Sequence, residues 1–168
     1  MSKNFKSLKE FQEYLNKQLI IAMDKVGETA LQEMIEHVQS KLGDDDSNKF
    51  YKQTGEFLES IQRISAELKP DGSVQTIIYY NTDEITPYLV GVNPPVESSQ
   101  TWNWHADIYG RDISELLPYW LDVTGTYGDS FYDREPIGAL KYMREEWIIK
   151  HFRNELKKEL NRLGIPTK

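Results

Sequence analysis

The stretch that decides the fold of this 168-residue chain is LKEFQEYLNKQLIIAMDKVGETALQEMIEHVQSKL, residues 8–42. Its apolar side chains recur at intervals of three and four residues, the spacing of one face of an α-helix. Ser7 and Glu10 match the capping box that begins a helix, and Gly43 supplies a left-handed residue that ends one. We therefore predict one long amphipathic helix, with Gly27 as the site of a kink or a close backbone contact. The apolar positions are Leu8, Phe11, Leu15, Leu19, Ala22, Met23, Val26, Ala30, Met34, Val38 and Leu42.

A second amphipathic pattern lies near the end of the chain. Proline is favoured in the first turn of a helix and glycine just after its end, so Pro136 and Gly164 predict its limits. Six basic and two acidic residues lie between Lys150 and Lys168, a local net charge of +4 that leaves −11 for the rest of a chain whose net charge is −7. The predicted apolar face consists of Ile137, Leu140, Met143, Trp147, Ile148, Phe152, Leu156, Leu160 and Leu163.

A β-hairpin is predicted between the two helices. Residues 63–69 alternate apolar and polar side chains, Pro70-Asp71-Gly72 has turn chemistry, and residues 73–81 are rich in β-branched and aromatic side chains. The alternation stops at Ile77-Ile78, which indicates burial on both faces near the end of the second strand. The whole pattern predicts an α+β fold, in which the long N-terminal helix and the C-terminal helix pack on a small antiparallel sheet made of this hairpin and one or two further strands.

Residues 82–114 lack regular periodicity but belong to a region with unusual aromatic content. Nine aromatic residues occur between Tyr88 and Tyr132, one residue in five, against 12% in the whole chain. Such side chains must be buried, either in the protein's own core or against a partner. Residues 113–123 are predicted to form a further short helix or strand. The candidate partner interface consists of Trp102, Trp104, Tyr109, Trp120 and Tyr127.

Composition restricts the possible classes of protein. The absence of cysteine excludes disulfides, thiolate metal sites and cysteine nucleophiles. No stretch reaches the roughly 18 apolar residues that a membrane span requires, and the N-terminus has no apolar core of a secretory signal. The length suits one domain over residues 1–168. We therefore expect a single-domain protein made in the cytoplasm and independent of membranes.

Catalytic and metal-binding chemistry has little support in the sequence. The three histidines, His37, His105 and His151, do not have the spacing of metal ligands. Residues 44–48 carry an Asp-x-Asp-x-Asn pattern, but the glycine and glutamate of a calcium loop are missing further on. We predict no catalytic residue, no cofactor and no metal. Two alternatives remain open: a small metal-dependent or hydrolytic enzyme around His105, and a DNA-associated regulatory domain that uses the basic C-terminal helix.

Residues 51–61, YKQTGEFLESI, resemble the motif Tyr-x-Arg-Thr-Gly-x-Leu-x-x-Ser-Ile of the minor-tail or tail-completion family of tailed bacteriophages, which includes head–tail joining proteins. In that family a long helix precedes the motif, and a β-hairpin, a tyrosine-rich strand ending in Gly-Thr and a proline-led helix follow it. Gln53 stands in the place of the arginine, and the acidic residue near the Gly-Thr pair is Asp122. The matching positions are Tyr51, Thr54, Gly55, Phe57, Leu58, Ser60, Ile61, Gly125, Thr126 and Pro136.

The resemblance implies a structural virion protein without an active site. Such a subunit assembles into a ring, expected to be a hexamer, at the neck or the upper end of the tail. Its partners are other neck, connector and tail-tube proteins, and DNA passes through the ring without sequence-specific binding. Residues 82–114 would be an insertion in this family. The acidic charge, including residues 44–46, predicts a lumen along which DNA slides without adhering.

Overall fold

The computed structural model describes residues 4–42, 56–84, 117–124 and 135–167. Helix α1 spans Leu8–Leu42 without interruption, about 52 Å at 1.5 Å per residue. The Ser7 hydroxyl accepts a hydrogen bond from the Glu10 backbone nitrogen at 3.1 Å, as the capping box predicts. The Glu10 carboxylate accepts from the backbone nitrogen of Lys6, at 2.7 Å, instead of from that of Ser7. The predicted long helix is therefore confirmed, with its cap extended by one residue.

Gly27 lies where α1 meets the hairpin. A β-carbon built on Gly27 would be 2.8 Å from Oγ1 and 3.0 Å from Cγ2 of Thr76, and 3.1 Å from Cδ of Arg63. Distances this short leave no room for a larger side chain. The close approach predicted for Gly27 is thus confirmed, and its neighbours are side chains of the strands.

The predicted hairpin is present, as strands β1 (Ile61–Leu68) and β2 (Val74–Tyr80). At its tip, Lys69 donates a backbone hydrogen bond to Ser73 at 2.8 Å, and Gly72 has a positive φ of 84°. The Asp71 carboxylate accepts from both the nitrogen and the hydroxyl of Ser73, and these hydrogen bonds hold the pKa of Asp71 below its ordinary value. The described residues form no other strand. The one or two further strands that we predicted are therefore not found among them.

Burial along the hairpin follows the sequence pattern only in part. Ile77 and Ile78 are both half-buried, as the interrupted alternation predicts. Ile64 and Leu68, by contrast, are exposed, although they alternate with polar residues in β1. Alternation determines which side chains share a face of a strand, but a face is buried only where another layer covers it.

A short helical segment occupies residues 117–124. It consists of helix α3 (Leu117–Tyr119) and a π-helical turn over Trp120–Thr124. We predicted either a helix or a strand over residues 113–123, and the helix is correct for the described residues 117–123. The resemblance to the tail-completion family implies a strand here, and that expectation is wrong for the described residues. Gly125 and Thr126 lie outside them.

The C-terminal helix is continuous over residues 139–162. Helix α4 (Ala139–Tyr142) leads into a π-helical segment, Met143–Phe152, and then into helix α5 (Arg153–Arg162). The predicted end is confirmed, since Gly164 has a φ of 80° and donates to the Asn161 carbonyl while Ile165 donates to that of Leu160. This pair of bonds is a Schellman motif.

Burial on the C-terminal helix follows the predicted apolar face only in part. Met143 and Trp147 are buried, as predicted, but Leu140 and Ile148 are exposed. Spacing determines which side chains share a face of a helix, but a side chain is buried only where a neighbouring element covers it. Glu159, by contrast, is buried although it carries a carboxylate. That carboxylate forms an ion pair with the Arg162 guanidinium at 2.7 Å.

Residue contacts divide the chain into two units. Unit 1 comprises residues 1–33, 63–78 and 141–168, and unit 2 comprises residues 34–62 and 79–140. All four boundaries fall inside α1, β1, β2 or the C-terminal helix. The buried apolar residues of unit 1 are Ala22, Met23, Val26, Ala30, Met143 and Trp147, and those of unit 2 are Met34, Val38, Ile61, Ile137 and Ala139.

The α+β class is confirmed by the long N-terminal helix, the C-terminal helix and the two-stranded antiparallel sheet. The single domain over residues 1–168 stays a prediction. Within the described ranges, no helix is both long and apolar enough to cross a membrane.

Candidate functional site

The resemblance motif ends in a buried junction between helix α2 (Glu56–Glu59) and the hairpin. Ser60 is 0% exposed, and its hydroxyl donates to the Phe57 carbonyl at 2.7 Å. The Ser60 carbonyl in turn accepts a backbone hydrogen bond from Asn81, at 2.6 Å, and the rings of Phe57 and Tyr80 stack with centroids 5.3 Å apart. Ile61 is also buried. These residues join the two ends of the hairpin to α2, which is a structural role.

Asp122 is a buried carboxylate that caps the C-terminal helix from another segment. It is 1% exposed; its Oδ1 accepts from the Ala139 nitrogen at 2.5 Å and its Oδ2 from the Leu140 nitrogen at 3.1 Å. Gly138, with a φ of 69°, has no side chain with which to cap these amides itself. A negative charge at a helix N-terminus also interacts favourably with the helix dipole. Backbone bonds from Ile137 to the Leu121 carbonyl and from Gly138 to that of Asp122 complete the attachment.

The Tyr80 hydroxyl is buried near the Asp122 carboxylate. Burial raises the pKa of Tyr80, and the charge of Asp122 raises it further. Within the described part of the chain, no partner meets normal hydrogen-bond geometry with this oxygen. The hydroxyl has lost its hydration, and an interaction with Asp122 that lacks normal hydrogen-bond geometry returns little of that loss, so we expect this position to oppose folding.

Two of the three histidines lie in the described part of the chain. His37 is half-buried, and its Nε2 lies 3.1 Å from the Ile137 carbonyl, which makes Nε2 the protonated nitrogen. His151 is exposed on the C-terminal helix. His105, around which the enzyme alternative is built, lies outside the described residues. Among the side chains that are described, no group of three His, Asp or Glu residues could hold a metal ion.

An ion cluster in unit 1 connects α1 to β1. The Asp24 carboxylate accepts from the Arg63 guanidinium at 2.6 Å and from the Ala66 backbone nitrogen at 2.8 Å. Glu28 lies 3.9 Å from the same guanidinium. The Arg63 hydrogen bond, and then that of Ala66, hold the pKa of Asp24 below its ordinary value of 3.8. The cluster fixes β1 against the helix at the position of the Gly27 contact.

The basic residues of the C-terminal helix differ in whether they are paired. Lys150, Lys158 and Arg162 each form an ion pair with a glutamate three or four residues earlier on the same helix. Arg153 and Lys157 have no ion pair or hydrogen bond among the described residues. Arg153 is exposed and Lys157 is half-buried; they follow Ile149, which is 72% exposed, at intervals of four residues, so the three side chains lie on the same side of the helix. We call Ile149, Arg153 and Lys157 the basic ridge.

Three acidic residues form a second charged surface, in unit 2. Glu59 ends α2, while Asp83 and Glu84 belong to a short 3-10 turn, Thr82–Glu84, that packs against α2. The Asn81–Ser60 hydrogen bond joins these two elements. All three side chains are exposed, and the partners of Glu84 are the neutral amides of Gln62 and Asn81. No cation of the described ranges pairs with Glu59, Asp83 or Glu84, which we call the acidic patch.

Part of the predicted partner interface lies in the 117–124 segment. Pro118 and Asp122 are buried, whereas Tyr119 and Val123, each one residue further on, are exposed. Trp120 belongs to the backbone of this segment. Pro136 is half-buried before the C-terminal helix, and Phe57 and Leu58 are half-buried in α2. The predicted positions outside the described residues are Tyr51, Thr54, Gly55, Trp102, Trp104, Tyr109, Gly125, Thr126 and Tyr127.

Comparison of the chain with protein-family models, with curated proteins and with solved structures gives no match. Its geometry therefore has to be interpreted from its own residues. The sequence contains no pattern that would identify the basic ridge and the acidic patch. The ion pairs that distinguish Arg153 and Lys157 from their neighbours are visible only in the folded helix.

Proposed function

We propose that the chain is a structural protein of a tailed-phage virion, which forms a ring at the head–tail junction or at the top of the tail. The observation that carries the proposal is the order of its elements. A long helix, a short helix at the Ser60-Ile61 motif, a β-hairpin and a helix after Pro136 follow one another as the family resemblance implies. The helical segment at residues 117–124 is the departure from that order.

The roles of the motif residues also support a structural protein. Ser60 and Ile61 are buried at the start of the hairpin, where they hold the fold together and meet no solvent. Exposed apolar side chains are found on three helical elements: Leu8 in α1, Tyr119 in the 117–124 segment, and Ile149 in the C-terminal helix. Exposed apolar surface of this kind is suited to burial between subunits.

The DNA-associated alternative has weaker support. A surface that binds DNA neutralises several phosphates with cations that are free to contact them. On the described C-terminal helix, four of the basic side chains, Arg144, Lys150, Lys158 and Arg162, are already paired with glutamates. A chain of net charge −7 is also repelled by the polyanion. Passage of DNA without adhesion fits this charge better than binding.

The mass of the protein in solution tests the proposal. Light scattering over a concentration series should find a discrete oligomer, with six times the 19.7 kDa of the chain as the expected value. Electron microscopy of the same sample should show rings with a central opening. A strict monomer at every concentration contradicts a self-assembling ring, and a closed dimer contradicts a ring through which DNA passes.

A further inference from the structure

We propose that neighbouring copies of this chain associate head to tail, the basic ridge of one copy docking on the acidic patch of the next. The inference rests on the proposed ring function and names the surfaces that make the ring. The ridge belongs to the C-terminal helix of one subunit, and the patch to α2 and the 3-10 turn of another.

The basic ridge has the composition of a protein-binding surface. Ile149 is 72% exposed and the adjacent Ile148 is 50% exposed. Two large apolar side chains at neighbouring positions are costly to hydrate, and burial against another protein removes that cost. A phosphate backbone would not cover them favourably. The exposed isoleucines therefore favour a protein over a nucleic acid as the occupant.

The two cations of the ridge indicate the charge of that protein. Arg153 and Lys157 are free of the ion pairs that their neighbours make, whereas Lys150, Lys158 and Arg162 are each neutralised on their own helix. Unpaired cations beside exposed apolar surface fit an acidic partner, because interfaces bring together potentials of opposite sign.

The chain itself presents that partner surface. Its net charge outside the last nineteen residues is −11. The acidic patch places three carboxylates on α2 and the 3-10 turn, two packed elements that contain no basic residue. Glu59 and Asp83 make no hydrogen bond or ion pair through their carboxylates in the described structure. The unpaired cations and the unpaired anions of one chain are therefore complementary.

Two different surfaces of the same chain produce a head-to-tail contact. Such a contact repeats from copy to copy, and it closes into a ring when the rotation between neighbours permits. A contact of one surface with itself would instead stop at a dimer. Pairing ridge with patch thus yields the kind of assembly that the proposed function needs.

Charge reversal tests the pairing. Variant A carries Arg153→Glu and Lys157→Glu, and variant B carries Glu59→Lys and Asp83→Lys. Each should lose the wild-type oligomer and sediment at the monomer mass, because ridge and patch then have the same sign. An equimolar mixture of A and B should recover the oligomer, since the ridge of each is again opposite in sign to the patch of the other.

Matched controls separate the local contact from overall charge. Lys9→Glu with Lys17→Glu makes the same change in net charge as variant A, and Glu13→Lys with Glu135→Lys the same as variant B. All four control positions are exposed and have no ion pair in the described structure. Both controls should keep the wild-type mass. Circular dichroism should establish that A and B are folded before their masses are compared.

The possible failures are distinguishable. If A or B alone keeps the wild-type mass, or if both dissociate and the mixture stays monomeric, the ridge–patch contact is overturned while the ring survives. A wild-type protein that is monomeric overturns both proposals. If the wild type is a dimer that dissociates in A and in B and is recovered by their mixture, the contact stands and the ring is rejected.

Discussion

The Asp122 carboxylate lies 2.5 Å from the backbone nitrogen of Ala139, seventeen residues later in the chain. Asp122 thereby caps a helix that begins after a glycine. We expect Asp122→Ala to destabilise the protein by about 2–3 kcal/mol, because it leaves the amides of Ala139 and Leu140 buried without an acceptor. Asp122→Asn, which keeps one acceptor oxygen, should cost about 1 kcal/mol. Urea denaturation measures both.

Asp83→Ala is the control for this cap. Its carboxylate is exposed and unpaired, so the substitution should change the free energy of unfolding by no more than about 0.5 kcal/mol. Equal losses for Asp83→Ala and Asp122→Ala would mean that the cap contributes nothing specific.

Gly27→Ala should destabilise the protein, although alanine is the better helix former. The new methyl group would meet Thr76 at 2.8 Å, and such overpacking costs more than the roughly 1 kcal/mol gained in helix propensity. We expect a net loss of about 1 kcal/mol in thermal or urea unfolding.

A double-mutant cycle isolates the cause of that loss. Thr76→Ala removes both Thr76 atoms that the methyl group would touch, so Gly27→Ala should be stabilising in that background. If Gly27→Ala has the same effect with and without Thr76, crowding by this side chain is not the reason.

Asp24→Asn should reduce the dependence of stability on acid pH. Because the pKa of Asp24 is lower in the folded than in the unfolded chain, its contribution is complete above about pH 4 and is lost as the pH falls through the folded pKa. Near pH 7 we expect Asp24→Asn to cost about 0.5–1 kcal/mol, since the pair with Arg63 is partly solvated. The difference from wild type should shrink as the pH falls through the folded pKa of Asp24.

Urea midpoints at several pH values check this prediction, with Asp83→Asn as the control that should follow the wild-type curve. A constant difference between wild type and Asp24→Asn from neutral to acid pH would exclude the Arg63 pairing as its source.

Tyr80→Phe should stabilise the protein by about 1 kcal/mol at pH 7, because it removes a buried hydroxyl that has no partner and keeps the ring that stacks on Phe57. The folded-state pKa of Tyr80 is raised, so its contribution is complete below about pH 10 and declines above it as the unfolded chain ionises. The variant should therefore lose less stability than wild type in alkaline solution.

Tyr79→Phe, at the half-buried neighbouring position, is the matched control and should have little effect. Destabilisation by Tyr80→Phe, in contrast, would indicate that the hydroxyl donates a hydrogen bond to Asp122 after all.

The elements that could be predicted from the sequence are those encoded by local patterns. The period of α1, the turn at Asp71-Gly72 and the glycine at 164 each act on residues close by in the chain, so their positions follow from residue type. The end of the C-terminal helix was predictable for the same reason.

Other features depend on residues that meet only in the folded chain. Asp24 and Arg63 are separated by 39 residues, and Asp122 reaches Ala139 across 17. The exposure of Ile148 depends on which elements cover the helix, and residue spacing does not reveal them. The basic ridge could not be predicted because the distinction between paired and unpaired cations requires the side-chain geometry.

The unit boundaries within α1, β1, β2 and the C-terminal helix have a practical consequence. Neither unit is a contiguous fragment, so no single truncation releases either unit by itself. Limited proteolysis should accordingly give no stable fragment that corresponds to either unit. Genetic dissection of this protein must proceed by substitution at chosen side chains, since no contiguous deletion removes one whole unit and leaves the other intact.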